Sequence, residues 1–173
     1  MAIKHQSVGT ELTQAEFEDA TLHIGGEETL ITTADVSESA AVFASITELS
    51  FNMLANKTYI IEAWLIFQSA GTAAGIAFGC SGPAAPVAVG IVAHIPIAFT
   101  LYASCCTLCN NTYDTGTPSV SVGAANTNYP SKLDIIVQNG ANAGAFILRF
   151  KTEVSGTAVT VKAGSVMRYK RVN

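Results

Sequence analysis

The chain has 173 residues and a formal net charge of −4, and only 13% of its residues are charged, whereas about 25% is usual in a soluble domain. Few charges and 49% apolar residues exclude an intrinsically disordered chain. The acidic balance argues against a nucleic-acid-binding protein, which needs a basic face to neutralise phosphates. One domain is the default at this length, and the opening MAIKHQSVGTEL lacks the apolar segment of a signal peptide.

Acidic and basic residues are distributed unevenly along the chain. Residues 1–62 carry ten acidic and two basic side chains, residues 63–131 carry Asp114 alone, and residues 132–173 carry seven basic and two acidic side chains. The neutral stretch is long enough for a membrane span, but glycines and prolines interrupt it, so we expect no membrane helix. We expect buried strands there, because a strand covered on both faces reads as a continuous apolar run.

The first 37 residues are predicted to form an acidic N-terminal arm. Within this arm, Thr13-Gln14-Ala15-Glu16 fits a capping box and predicts one short helix over 14–20. The apolar face of that helix is thin, so the helix would need a surface on which to dock. The arm, over 1–37, is expected to precede a single domain over 38–173.

From residue 38 onward the pattern is that of short strands. The strongest is Thr58–Phe67, in which β-branched and aromatic residues alternate in period two. Further strands are expected over 42–54, 75–80, 87–95, 97–103, 119–122, 133–138, 146–151, 157–163 and 165–172, with loops over 109–118 and 123–131. Pro96 should mark an edge, a bulge or a corner between two strands. This pattern predicts an all-β protein, an antiparallel β-sandwich of the jelly-roll type, with a closed barrel as the alternative.

Four cysteines form the most conspicuous cluster of reactive residues: Cys80, Cys105, Cys106 and Cys109. Cys106 and Cys109 have C-x-x-C spacing, but a structural zinc site requires a second pair at similar spacing. A disulfide is not the default without a secretory signal. Buried free thiols are therefore the favoured interpretation, with a disulfide or a metal site as alternatives.

The sequence predicts no catalytic residue, no cofactor and no metal ligand, because it contains no nucleophile elbow, P-loop or dinucleotide fingerprint. His94 lies in an apolar strand, which favours a structural or interface histidine. Glu62 is central in a clear strand, which favours an ion pair with Lys57 or with a base of the last strand. The acidic arm, from this chain or a neighbouring one, is expected to complement the basic residues Lys162, Arg168, Lys170 and Arg171.

Several segments carry a family resemblance: FASITELSFNMLANKTYIIEAWLIFQSAGTAAGI, GCSGPAAP, YDTGTPS, ANTNYPSKL, NGANAGAFILRF and EVSGTAVTVKAGSVMRYKRV. The shared pattern is a strand opening AN-x-T-Y-x-x-E-A, a G-P-A turn, and a V-x-A-G-S hairpin before a basic last strand. With these segments the chain resembles tailed-bacteriophage virion structural proteins. Their C-terminal module is a trimeric jelly roll related in shape to the tumour-necrosis-factor/C1q fold.

The resemblance implies a homotrimer on the surface of a virion, assembled in the host cytoplasm. It further implies a capsid-decorating protein of the cement or head-fibre type. Its expected partners are further copies of itself and the major capsid protein or other virion proteins, with neither nucleic acid nor membrane. One alternative is a tail-associated or receptor-binding module. Another is a carbohydrate-binding or glycan-acting β-sandwich protein, and a glycan hydrolase would need two convergent carboxylates.

Overall fold

The computed structural model describes residues 4–5, 23–24, 26–98, 101–107 and 110–173. Every helix or strand within these ranges is a β-strand, and every strand pairing is antiparallel. The prediction of an all-β antiparallel sandwich is confirmed. The helix predicted over 14–20 lies outside the described residues. In the described part of the chain, no helix is long and apolar enough to cross a membrane.

The strands are, in chain order, β1 Lys4–His5, β2 His23–Ile24, β3 Glu27–Ile31, β4 Val36–Glu38, β5 Ala44–Met53, β6 Thr58–Ser69, β7 Gly75–Ser81, β8 Ala88–Ala98, β9 Leu101–Cys106, β10 Val120–Ser121, β11 Tyr129–Gln138, β12 Gly144–Thr152, β13 Val159–Val161 and β14 Val166–Arg171. The smaller sheet has the order β10-β7-β12-β5, and the larger has the order β3-β14-β6-β11-β8-β9. β13 lengthens the larger sheet by pairing with the end of β6 and with β4. Most neighbouring strands are distant in sequence, as in jelly-roll and Greek-key sandwiches.

The core lies between the two sheets and is filled by alternate residues of each strand. On β6, Tyr59, Ile61 and Phe67 are fully buried. On β12 of the facing sheet, Phe146 and Phe150 are fully buried as well. The period-two pattern of the sequence therefore predicts correctly which face of these strands points inward.

One irregularity in β5 explains an apparent break in this alternation. Ile46 and Leu49 are both fully buried although they are three residues apart, which a regular strand would not allow. Opposite them, the register along β12 shifts between Ile147 and Arg149. A β-bulge there inserts extra residues and returns the next apolar side chain to the core.

The predicted bulge at Pro96 is confirmed, but the predicted division of this segment into two strands is wrong. β8 continues through Pro96 to Ala98, and the register shift towards β9 falls between those two residues. The pairing of β8 with β11 ends at His94. Pro96 lies beyond that point, so its missing N–H removes no bond from the ladder between β8 and β11.

Two further boundaries differ from the sequence prediction. β11 begins at Tyr129, inside the predicted loop 123–131, because Tyr129 and Pro130 pair with Phe67 and Ile66 of β6. β3 and β4, which fall within the predicted arm, pair with β14 and β13 of the larger sheet. Residues 27–38 thus contribute strands to the sandwich, while the division of the chain into an arm and a domain stays a prediction.

Candidate functional site

The outer face of the larger sheet is the most distinctive surface of the described residues. The strand register places its side chains in three parallel rows. The rows are Val166, Trp64, Lys132 and His94; then Arg168, Glu62, Asp134 and Val92; and finally Lys170, Ile60, Ile136 and Gly90. Ile66 and Pro130 pair beyond the first row, towards the end of the sheet. We refer to this set as the outer face.

Large apolar side chains stand exposed on the outer face. Ile136 is 46% exposed and Trp64 is 38% exposed, and Ile60, Ile66 and Val92 are comparably open. Single exposed hydrophobic residues are normal on a soluble protein, but a contiguous group marks an interaction surface. β6 supplies three of the five, because it is apolar on both of its faces.

Two shallow grooves lie among these side chains. The first has a volume of about 450 Å³ and is lined by Trp64, Ile66, His94, Pro96 and Pro130, among others. The second has a volume of about 330 Å³ and includes Ile60, Val92 and Ile136 in its walls. Both are open and almost entirely apolar, so they suit the apolar side chains of a protein surface better than a polar small molecule.

Between the grooves runs a row of charges that compensate one another. Arg168 donates to Glu27 at 2.9 Å and lies 3.3 Å from Glu62. Lys132 lies 2.8 Å from Asp134, and the hydrogen bond to that carboxylate raises the pKa of the lysine above its ordinary value. Exposed pairs of this kind add little stability. Each of these charged side chains therefore has a partner of opposite sign on the same surface.

Trp64 lies at the centre of this arrangement. The guanidinium of Arg168 is 4.7 Å from the centre of the indole ring, and the Lys132 ammonium is 5.9 Å from it. Both distances fall within the range of cation–π attraction. Because each cation is also held by a carboxylate, the indole is fixed in place rather than free to fold away from solvent.

Two residues singled out from the sequence, Glu62 and His94, lie on this face. Glu62 forms the predicted ion pair with a base of the last strand, Arg168. His94 lines the first groove, as an interface histidine would. Glu62 and Asp134 are direct cross-strand partners, although each carboxylate is engaged by its own cation. The sequence could not place these two acids together, because the register between β6 and β11 is a long-range property.

The acidic residues that pair with the basic C-terminal strands lie on the same chain. Arg168 pairs with Glu27, and Lys162 forms an ion pair with Asp35. Glu28 accepts a hydrogen bond from the hydroxyl of Tyr169. The acidic residues at the end of the predicted arm therefore match the basic strands within one subunit.

Part of the outer surface of the smaller sheet is covered by Phe43. Phe43 lies over Gly79 and Gly116, where a Cβ on either glycine would overlap its ring. Arg149 forms an ion pair with Asp114 and also donates to the carbonyl of Phe43. Asp114 therefore lies against the smaller sheet, whereas His94 is on the larger one.

The described cysteines are free thiols in three different environments. Cys80 is buried, Cys105 is partly buried and Cys106 is exposed, and Cys109 lies outside the described residues. Burial raises the pKa of the Cys80 thiol to about 12. The expectation of buried thiols is correct for Cys80 and wrong for Cys106. Among the described residues, no group of three His, Cys, Asp or Glu side chains could hold a metal ion.

Comparison with known proteins gives only distant structural similarity. No family model matches the sequence, and no curated protein matches it. A β-sandwich carbohydrate-binding module with promiscuous specificity shares 17% identity at a TM-score of 0.30, over 76% of this chain and 57% of that one. A structure of the Gt strain of infectious bursal disease virus shares 14% identity at a TM-score of 0.21, over 85% and 38%. The VP2 subviral particle of the same virus shares 13% identity at a TM-score of 0.23, over 84% and 39%.

The chain therefore spans less than two thirds of the length of each of these structures. TM-scores at this level do not establish a shared function, and no bacteriophage family is shown by them. The structure itself establishes an antiparallel β-sandwich whose larger sheet presents an apolar outer face.

Proposed function

We propose that this protein is a bacteriophage virion structural protein that decorates the capsid as a homotrimer. The observation that carries the proposal is the exposed apolar outer face of the larger sheet, with Trp64, Ile136 and their neighbours. In a trimer of jelly rolls one sheet of each subunit packs against its neighbours. The outer face supplies such a surface, whereas part of the smaller sheet is already covered by Phe43.

The dimensions of the outer face suit contact with another folded chain. Four strands spaced about 4.8 Å apart and seven residues of about 3.3 Å each give roughly 440 Å². A standard protein interface buries about 800 Å² on each partner. The face is therefore large enough to supply about half of one subunit's share of an interface.

The charges of the face suit a second copy of the same chain. Lys132, Arg168 and Lys170 lie on it with Glu62 and Asp134, and Glu27 of the adjoining strand β3 pairs with Arg168, so this surface is close to neutral. Burying an unpaired charge would be costly, but Lys132 and Arg168 enter an interface with carboxylate partners already in place. A nucleic acid or a strongly charged partner would require a face of one sign.

The family resemblance supports the virion assignment. Its motif opening AN-x-T-Y-x-x-E-A coincides with the start of β6, and its V-x-A-G-S motif with the turn between β13 and β14. Both elements belong to the larger sheet. Free thiols agree with assembly in the reducing cytoplasm of a host cell.

The experiment that tests this function uses particles lacking the protein and two purified variants. Ile136→Asp places a charge in the outer face, whereas Val42→Asp alters a side chain that is 62% exposed and lies outside it. We expect wild-type protein and Val42→Asp to appear on the capsid in averaged particle maps, as threefold density, and Ile136→Asp to be absent. Density at the tail tip would support the tail-associated alternative, and equal decoration by all three proteins would contradict the proposed interface.

We further propose that the acidic N-terminal arm anchors the protein to the capsid, and a deletion within residues 1–37 tests this. Removing residues 27–37 would delete β3 and part of β4 and expose the edges of β14 and β13. Deleting 1–22 avoids both strands. We expect this variant to keep its trimeric mass and to lose particle binding, and normal decoration by it would refute the anchoring role.

A further inference from the structure

The turn between β11 and β12 contains an Asn-Gly dipeptide, Asn139-Gly140, in an unusual setting. Asn-Gly is the sequence most prone to spontaneous deamidation, because glycine leaves the following backbone nitrogen unhindered. Such dipeptides normally lie in exposed turns. Here Asn139 is only 1% exposed, and Gly140 is also buried.

The Asn139 side chain holds two segments of the turn region together. Its Nδ2 donates to the carbonyl of Leu54 at 2.9 Å and to that of Asn142 at 2.8 Å. Its backbone N–H donates to Lys57 O at 2.8 Å. Two hydrogen bonds therefore position the side-chain amide and a third holds the backbone, and together they resist the rotation that a reaction at this residue would need.

Gly140 is fixed equally firmly. Its carbonyl accepts a hydrogen bond from the backbone of Asn56 at 2.7 Å. A Cβ at this position would overlap the carbonyl oxygen of Ala85, so the close approach of these two backbones requires glycine. The residue that makes the dipeptide reactive is thus required by the packing of the fold.

We infer that Asn139-Gly140 is a deamidation site that the folded protein protects and that unfolding exposes. In the reaction, the backbone nitrogen of Gly140 attacks Cγ of Asn139, a C–N bond forms and ammonia leaves. Water then opens the resulting succinimide to aspartate or isoaspartate. In the native turn the hydrogen bonds hold both reacting groups in place, and in the unfolded chain nothing does.

The product does not fit the native turn. The two carbonyls that accept from Nδ2 would face carboxylate oxygens that have no proton to donate. The Asn139 Oδ1 already meets no donor from the described residues, so the pocket offers a carboxylate no compensation. Isoaspartate would also lengthen the backbone beside the contact of Gly140 with Ala85. A chain that is deamidated while it is unfolded therefore cannot return to the native structure.

The test compares native and guanidinium-unfolded wild-type protein in the same mildly alkaline buffer. Conversion at Asn139 is followed by peptide mass spectrometry, with exposed Asn142 as an internal reference. We expect conversion of Asn139 to be at least about tenfold slower in the native protein, since the reaction requires local opening. Equal rates at Asn139 in the two samples would overturn the inference.

A pair of variants tests the consequence independently of the rate. Asn139→Asp reproduces one product of the reaction, and Asn142→Asp is its matched control, because Asn142 is exposed and donates only to Ala84 O. We expect Asn139→Asp to abolish refolding or to lower the unfolding midpoint well below that of the control. Refolding of Asn139→Asp with wild-type stability would overturn the claim that deamidated chains are lost.

Discussion

Ile60 and Ile61 are adjacent on β6 and point to opposite faces of the larger sheet, so the same substitution should have different effects at the two positions. Ile61 is fully buried in the core, whereas Ile60 is 39% exposed on the outer face. Replacement by alanine removes three carbons, worth about 2.4 kcal/mol at ~0.8 kcal/mol each when fully buried. At Ile61 a cavity adds to this, giving about 3–4 kcal/mol.

Substitution at the outer position should destabilise the isolated subunit less and weaken assembly more. About three fifths of the Ile60 side chain is covered within one subunit, so Ile60→Ala should cost the isolated subunit at most ~1.4 kcal/mol. In the proposed assembly the remaining two fifths would become buried. That part is worth about 1 kcal/mol per contact, or roughly a fivefold weaker association.

Trp64 is the only tryptophan of the chain and reports both effects. Guanidinium unfolding followed by its fluorescence gives the stability, and repeating the titration over a range of protein concentrations gives the linkage to assembly. Ile60→Val and Ile61→Val serve as one-carbon controls. Equal stability losses for the two alanine variants, or unchanged concentration dependence for Ile60→Ala, would refute the assignment of the two faces.

Two further predictions concern titratable groups. The ion pair with Lys162 holds the pKa of Asp35 below its ordinary value, so this carboxyl stabilises the fold above its unfolded pKa and loses that effect as the pH falls through its folded pKa. Asp35→Asn should therefore flatten the acid side of the stability–pH curve measured by denaturant titration, and an unchanged curve would contradict the pairing. Burial raises the pKa of Cys80 to about 12, so a thiol reagent at neutral pH should label exposed Cys106 in native protein and Cys80 only after unfolding. Mass spectrometry of labelled peptides checks this, and native labelling of Cys80 would refute it.

The sequence predicts the fold class and the buried faces well, because both depend on local alternation. The period-two pattern of β6 identifies Tyr59, Ile61 and Phe67 as core residues without knowledge of their partners. It also places Ile60 and Trp64 together on the other face. The strength of this signal comes from having apolar residues on both faces of one long strand.

Features that depend on register could not be predicted in this way. The three rows of the outer face exist because β11 pairs with β6 and β8 in one particular alignment, and many alignments share the same alternation. Pro96 illustrates a second limit. It marks the bulge correctly, but the strand continues to Ala98 because the pairing with β11 had already stopped at His94.

The hydrogen bonds of Asn139 show a third limit. The Asn-Gly dipeptide correctly indicates a turn after β11, but sequence patterns treat such turns as exposed. Burial of this one arises from the segments around Leu54 and Ala85, which are more than fifty residues away in the chain. Long-range packing of this kind leaves no trace in the local sequence.

The molar mass of the wild-type chain in solution tests the central claim most directly. Size-exclusion chromatography with light scattering at micromolar concentration should give three times the chain mass of 18.0 kDa, because the outer face is expected to be buried between copies. A single species at 18.0 kDa over the whole concentration range would contradict the assembly proposed for this face.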